Sequence, residues 1–275
     1  MDSTDIPSSP YRLSPQQWLF IIVAALVIGI WLWATPPGLL GKADAIGYAL
    51  CHRIVERSLF IGNRQSPLCA RCTGTYLGAL AGLAIMVTSP SRRRAGGLPT
   101  LPFLAILIAF IAIMGIDGLN SYLTLLAAPH LYAPQNWLRL VTGAGNGLAM
   151  SALIYPIFNQ TLWDKYTSQP VMSSFADLAK ALLLAASLIA LALSHWPPAL
   201  YVLALASAAS AMVLLTMLNT MIILMIARYE NRLADWRQAW LPLLVGLTLA
   251  TLQIGCLDAL RYAIFQSWEG LTSLH

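Results

Sequence analysis

The sequence predicts an all-α fold: a polytopic transmembrane bundle of about seven helices. Three observations predict it. Hydrophobic residues make up 58% of the 275 and charged residues only 10%, against about a quarter charged in a soluble domain. Seven apolar stretches each approach or exceed the roughly twenty residues that a helix needs to cross a bilayer. The basic residues fall mostly in short loops between those stretches, where membrane proteins use them to set orientation. The net charge of +5 therefore points to a membrane protein and not to a nucleic-acid partner. Lipid requires each backbone polar group to be satisfied within the protein, which favours helices, and no strand pattern of useful length is evident.

Residues 1–15, rich in Ser, Pro and Asp, read as a disordered N-terminal tail. Trp18 to Ala34 is the first span. A basic residue before an apolar run also begins a cleaved signal peptide. This run, however, is long, carries Trp31 and Trp33 near its end, and passes into Pro36-Pro37-Gly38 rather than a small-residue cleavage site. A retained helix is the expectation. Further spans run from Cys69 to Val87, Leu101 to Gly118, Trp137 to Pro156 and Phe175 to Trp196, then from Ala199 to Ile226 and Trp240 to Ile264. Residues 16–158 form a membrane domain that carries the cysteine motif, and 159–275 add a three-helix membrane region.

Arg12, the run Arg92-Arg93-Arg94, Lys165, Arg228, Arg232 and Arg237 all lie on the N-terminal side of these spans. Apart from the motif's own arginines, Lys42 is the main basic residue on the other side. The positive-inside rule then places the N-terminus in the cytoplasm, and the C-terminus and cysteine motif outside.

The motif is Cys51-His52, then Glu56-Arg57, then Cys69-Ala70-Arg71-Cys72, with three of the chain's four cysteines. Helix parity extends it. With seven spans, Asp117 and Asn120, Arg139, His195, and the group Cys256, Asp258 and Arg261 all belong to the same membrane face as the motif. Asp117, Asn120 and Ser121 share one helix face, as do Arg139, Thr142, Gly143 and Asn146. Ionisable groups at this depth usually point into the bundle towards a partner, and Asp117 with Arg139 is the expected pair. Asp258 is within reach of Arg261, for which snorkelling to the interface is the expectation. Gly74, Gly78 and Gly82 form a groove on the second span for close approach of another helix.

Two chemistries suit the motif. Thiolates and an imidazole can bind a metal, with zinc favoured by this donor set and Cys51, His52, Cys69 and Cys72 as candidate ligands. Because Cys51 and His52 are adjacent, His52 can instead serve behind the ligands. Alternatively, Cys69 and Cys72 cycle between dithiol and disulfide in a quinone-linked membrane oxidoreductase. A helix N-terminus and Arg71 would favour the thiolate, and Cys51 would act as a third, exchanging thiol. A structural disulfide or metal that only pins the loop is the bland alternative. Cys256 reads as an apolar filler. Arg53, Arg57, Arg64, Arg71 and Arg139 support a third reading, with Arg57, Arg71 and Arg139 as its chief candidates, in which the chain binds or transports an anion or a lipid head group. Glu56 and Asp117 are the candidate acid–base residues. The expected partners are the lipid bilayer and a small-molecule or lipid ligand. His130, His195 and His275 read as interfacial or terminal residues.

Cys51-His52, Glu56-Arg57-Ser58, Phe60, Gly62 and Pro67-Leu68-Cys69-Ala70-Arg71-Cys72-Thr73-Gly74-Thr75-Tyr76 together resemble a prokaryotic family of predicted membrane proteins. It is the family catalogued as domain of unknown function number 2085. Asp117-Gly118, Leu138-Arg139 and Thr142-Gly143 continue the resemblance, which spans about residues 50–156. Val55 departs from it, where the usual string has proline. The resemblance implies a prokaryotic cytoplasmic (inner) membrane location. It also implies one shared unit of Cys51, His52, Glu56, Arg57, Cys69, Arg71, Cys72, Asp117 and Arg139. It names no substrate.

Overall fold

The computed structural model describes residues 14–268. The expected tail therefore lies outside the described residues, except for Ser14 and Pro15, and so does His275. Ser14 and Pro15 begin a helix: the Ser14 hydroxyl accepts from the Gln17 amide at 3.3 Å and the Gln17 side chain accepts from the Ser14 amide at 2.9 Å. This reciprocal pair is a capping box, with proline in the first turn where its missing N–H is harmless.

Among the described residues there are eight helices: α1 (Pro15–Ala34), α2 (Leu39–Leu50), α3 (Ala70–Thr88), α4 (Leu101–Leu125), α5 (Asn136–Leu162), α6 (Phe175–Leu193), α7 (Pro197–Ile226) and α8 (Trp236–Phe265). All but α2 are long and apolar enough to cross a membrane. The seven expected spans and the all-α class agree with this architecture. The helix α2 was not anticipated. At 12 residues it is too short to cross, and its Lys42, Asp44 and small residues give no long apolar run. It lies folded against the end of the bundle.

α3 and α5 form the centre. Both are rich in small residues, and their backbones pack directly on one another. A Cβ added at Gly74 or Gly78 of α3 would collide with the carbonyl oxygens of Leu140 or Ala144 of α5, and one added at Gly147 of α5 would collide with that of Thr75. The expected glycine groove is thus occupied by α5, and neither helix can slide without a clash. α7 closes the core from one side, with Leu214, Met217 and Met221 packed beside Leu83, Met86, Tyr155 and Phe158.

Each end of the bundle is sealed by short strands, which the sequence reading did not anticipate. At the end with the basic loops, β3 (Ala95–Gly97) pairs parallel with β4 (Thr167–Pro170). At the opposite end, β1 (Ser58–Ile61) pairs antiparallel with β2 (Arg64–Cys69). Ile61 faces Arg64 across a two-residue turn in which Gly62 adopts φ +62°, a left-handed conformation suited to glycine. α2 docks on this hairpin through Gly47, whose missing side chain leaves room for the Pro67 carbonyl.

Candidate functional site

The hairpin delivers the cysteines. Cys51 is the residue after α2, Cys69 ends β2 and caps α3, and Cys72 sits in the first turn of α3. Their three sulfur atoms all lie within 4.8 Å of one another. Cys51 and Cys69 are buried and Cys72 is partly exposed. The Cys69 amide, at the positive end of α3, donates to the Cys51 sulfur at 3.3 Å. Hydrogen bonds from Cys69 and then Cys72 hold the Cys51 thiol well below its ordinary pKa, and the bond with Cys51 pushes Cys69 up. Cys51 is therefore the sulfur on which negative charge is best supported, with the Cys69 amide donating to it.

The loop after Cys51 is fixed on all sides. Arg53 turns the chain in a left-handed conformation, φ 52°, and its buried guanidinium reaches Asp44 at 3.0 Å and the Trp268 carbonyl at 3.3 Å. Gln65 donates to the Arg53 carbonyl at 2.7 Å. From α8, Arg261 donates to the carbonyls of Tyr48, Cys51 and His52 and lies 4.2 Å from the Tyr48 ring centroid. Arg261 does not snorkel. The end of a helix exposes unpaired carbonyls, and a cation satisfies them better than it would satisfy one carboxylate. Asp258 instead accepts from the Trp31 indole at 3.3 Å.

His52 stands outside the sulfur cluster. Its Nδ1 accepts from the Ile54 amide at 3.0 Å. Burial holds its pKa low, against the pull of Cys51 and with the positive charge of Arg57, Arg71 and Arg139 pushing the same way as burial. The neutral imidazole therefore carries its proton on Nε2, which leaves neither nitrogen free to ligate.

The expected Asp117–Arg139 pair does not form. Asp117, 1% exposed, pairs with Arg71 at 2.5 Å and accepts from the Tyr132 hydroxyl at 2.8 Å. The Tyr132 hydroxyl is on Oδ1, and Thr142 approaches Oδ2, the oxygen that Arg71 holds, at 3.4 Å. Arg71 wins because α3 and α4 both pack on α5, which brings its guanidinium to one carboxylate oxygen, Oδ2, with Nε at 3.1 Å as well, and to the Asp117 carbonyl at 3.1 Å. A carboxylate this fully engaged is poorly placed to act as a base. Arg139 turns to Asn136 at 2.8 Å, and its Nε is buried without a partner. Arg57 donates to the Ser121 carbonyl at 3.0 Å. Glu56 is exposed on the 3-10 turn Val55–Arg57. Asn120 holds the 126–135 loop by accepting from Leu131 at 2.7 Å and donating to the Tyr132 carbonyl at 2.9 Å.

Of the residues expected on this membrane face, Arg261, Asp117 and Arg139 join the cluster, whereas His195 and Cys256 are exposed, as is His130. Asp44 and Tyr132 join the site unannounced by the motif, whereas Arg53 lies within the motif segment. Tyr132 sits in a loop where helical spacing gives no signal, and Asp44 lies on the unanticipated α2.

The family model described as predicted membrane protein (DUF2085) matches residues 51–153. It opens on Cys51 and ends within α5, so it encloses all three clustered cysteines, Asp117 and Arg139. An uncharacterized protein of Methanocaldococcus jannaschii is 30% identical over 122 residues, which are 44% of this chain and 72% of that relative. No solved structure matches the chain. The chain is a multi-pass membrane protein that belongs to the DUF2085 family.

Proposed function

We propose that this is a metal-binding membrane protein in which Cys51, Cys69 and Cys72 hold a zinc ion at the outer face of a prokaryotic inner membrane. The observation that carries it is the meeting of three sulfurs within 4.8 Å of one another, brought from the ends of two helices. The donor set fits zinc: three soft thiolates favour it, and an amide already donates to one sulfur as it would to a ligated thiolate. Three protein ligands leave the fourth tetrahedral position for water or a bound molecule. His52, tied to Ile54, then serves behind the ligands as a hydrogen-bond donor through Nε2. Support for the orientation comes from the loops: Arg92, Arg93, Arg94 and Lys165 sit at the end opposite the cysteines.

Metal analysis of the full-length protein, purified under reducing conditions, tests the reading. One zinc per chain is expected, lost on Cys69→Ser. Absence of stoichiometric metal from the wild type overturns it. One observation favours a second reading, thiol–disulfide exchange: Cys72 is partly exposed beside two buried thiols, so a partner disulfide or a quinone-linked oxidant can reach it. In that case alkylation in cells, with and without prior reduction, shows Cys72 oxidised in a steady-state fraction of molecules. Fully alkylated thiols under both conditions rule the exchange out.

A further inference from the structure

Beside the sulfurs lies a second polar cluster with more positive charge than its partners neutralise. Arg57 and Arg71 both reach Ser121, Arg57 to its carbonyl at 3.0 Å and Arg71 to its hydroxyl at 2.8 Å. Arg139 joins them through Asn136, which accepts from Arg139 at 2.8 Å and donates to the Glu56 carbonyl at 3.1 Å. Of these three guanidinium groups only Arg71 holds a carboxylate, Asp117, and Glu56, next to Arg57 in the chain, is exposed and makes no ion pair among the described residues. Among the described residues neither Arg57 nor Arg139 has an ion pair. Arg139 is 6% exposed, with a buried Nε that donates to nothing. A buried, unmatched cation is costly. The helices α3 and α5 both begin here, and neither N-cap residue's side chain accepts from its helix, so two positive helix ends add to the same field.

An apolar groove of about 390 Å³ adjoins this cluster. It runs between α4, α5 and α6, past Phe110, Ile113, Gly145, Ala186 and Leu193. Thr142 belongs to both: it lines the groove, and its hydroxyl lies 3.4 Å from Asp117. Positive charge at the membrane surface continuous with an apolar channel along the helices matches one kind of molecule, a lipid with an anionic phosphate head.

We infer that Arg57, Arg71 and Arg139 bind the phosphate of an anionic phospholipid whose acyl chain lies in the α4–α5–α6 groove. Arg57 and Arg139 supply donors that Asp117 does not use, and the phosphate oxygens satisfy them with charge-assisted bonds. The inference does not rest on the metal reading, since no sulfur takes part.

Native mass spectrometry of the purified full-length protein tests it, with phosphatidylglycerol, phosphatidylcholine and inorganic phosphate as the probes. Phosphatidylglycerol is expected to bind about tenfold or more tightly than phosphatidylcholine, and Arg57→Gln to remove most of that preference. Ala186→Trp, on an exposed α6 position, should fill the groove and weaken phosphatidylglycerol binding with the arginines intact. This variant keeps the test open if Arg57→Gln fails to fold. Equal binding of the two lipids, or a preference unchanged in Arg57→Gln, overturns the inference. So does displacement of phosphatidylglycerol by inorganic phosphate together with wild-type binding in Ala186→Trp, which identifies a free-anion site. Zinc content measured on the same samples separates these outcomes from failure of the metal reading.

Discussion

The arginines at the two ends of the bundle are placed by different rules. At the basic-loop end Arg92, Arg93 and Arg94 each find a separate partner, Arg93 the Val87 carbonyl. Arg92 pairs with Asp177 at 2.6 Å and donates to the Val171 carbonyl at 2.6 Å. Arg94 donates to the Ala234 carbonyl at 2.8 Å and lies 4.4 Å from the Trp163 ring centroid. These contacts clasp loops together. At the cysteine end Arg71 takes the Asp117 carboxylate, Arg57 and Arg139 reach only the Ser121 carbonyl and Asn136, and a fourth, Arg261, ties the chain around Cys51. The residue type is the same, so the difference lies in what surrounds it. Arginines that are individually satisfied hold a fold. Arginines crowded together with donors to spare, beside three sulfurs, prepare a site.

The largest effect that would break this comparison is removal of the carboxylate that Arg71 holds. Asp117→Ala leaves Arg71 without its counter-charge in a buried setting, and it should destabilise the protein by about 3–5 kcal/mol, read as loss of the folded fraction in thermal denaturation in detergent. A shift no larger than that of a surface substitution would show that Asp117 does not organise the cluster. Arg94→Ala, at the other end, should cost only about 1 kcal/mol through one carbonyl bond and one ring contact, and zinc content should not change. Loss of zinc in that variant would couple the two ends and contradict the division between them. The smallest effect concerns pH. Burial and the hydrogen bond to Asp117 raise the Tyr132 pKa above its ordinary value. A group whose folded pKa is raised stabilises the fold fully below the unfolded value, about 10, and loses that contribution as pH rises through the folded one. The wild type should therefore gain an alkaline unfolding limb that Tyr132→Phe lacks. Identical alkaline limbs in the two proteins would remove Tyr132 from the account.

Much of this arrangement was legible in the sequence. The spans followed from apolar length, and which of them lie inside follows from their polarity. α3 and α5 have a mean hydropathy of 1.3 and are 61% buried, whereas α1 and α4, at 2.2 and 2.3, are 6% and 17% buried. In lipid the least apolar helices go to the centre, where small residues allow backbone contact. Parity in the number of spans located the site, because it depends on counting crossings and not on side-chain detail. The pairings were not legible. Asp117 and Arg139 are joined by one loop, yet Arg71 from a third helix takes the carboxylate, and only the packing of α3 on α5 decides that. Arg261 is four helix positions from nothing acidic but three residues from Asp258, and still it turns to the open carbonyls after α2, a helix too short and too polar to be read as a span.

The central claim is a three-sulfur metal site, and zinc X-ray absorption on the purified wild-type protein tests it most directly. The account predicts one zinc per chain with three sulfur neighbours at about 2.3 Å and one lighter neighbour at about 2.0 Å. A zinc shell of nitrogen and oxygen alone, or a protein that carries no zinc when kept reduced, would contradict it.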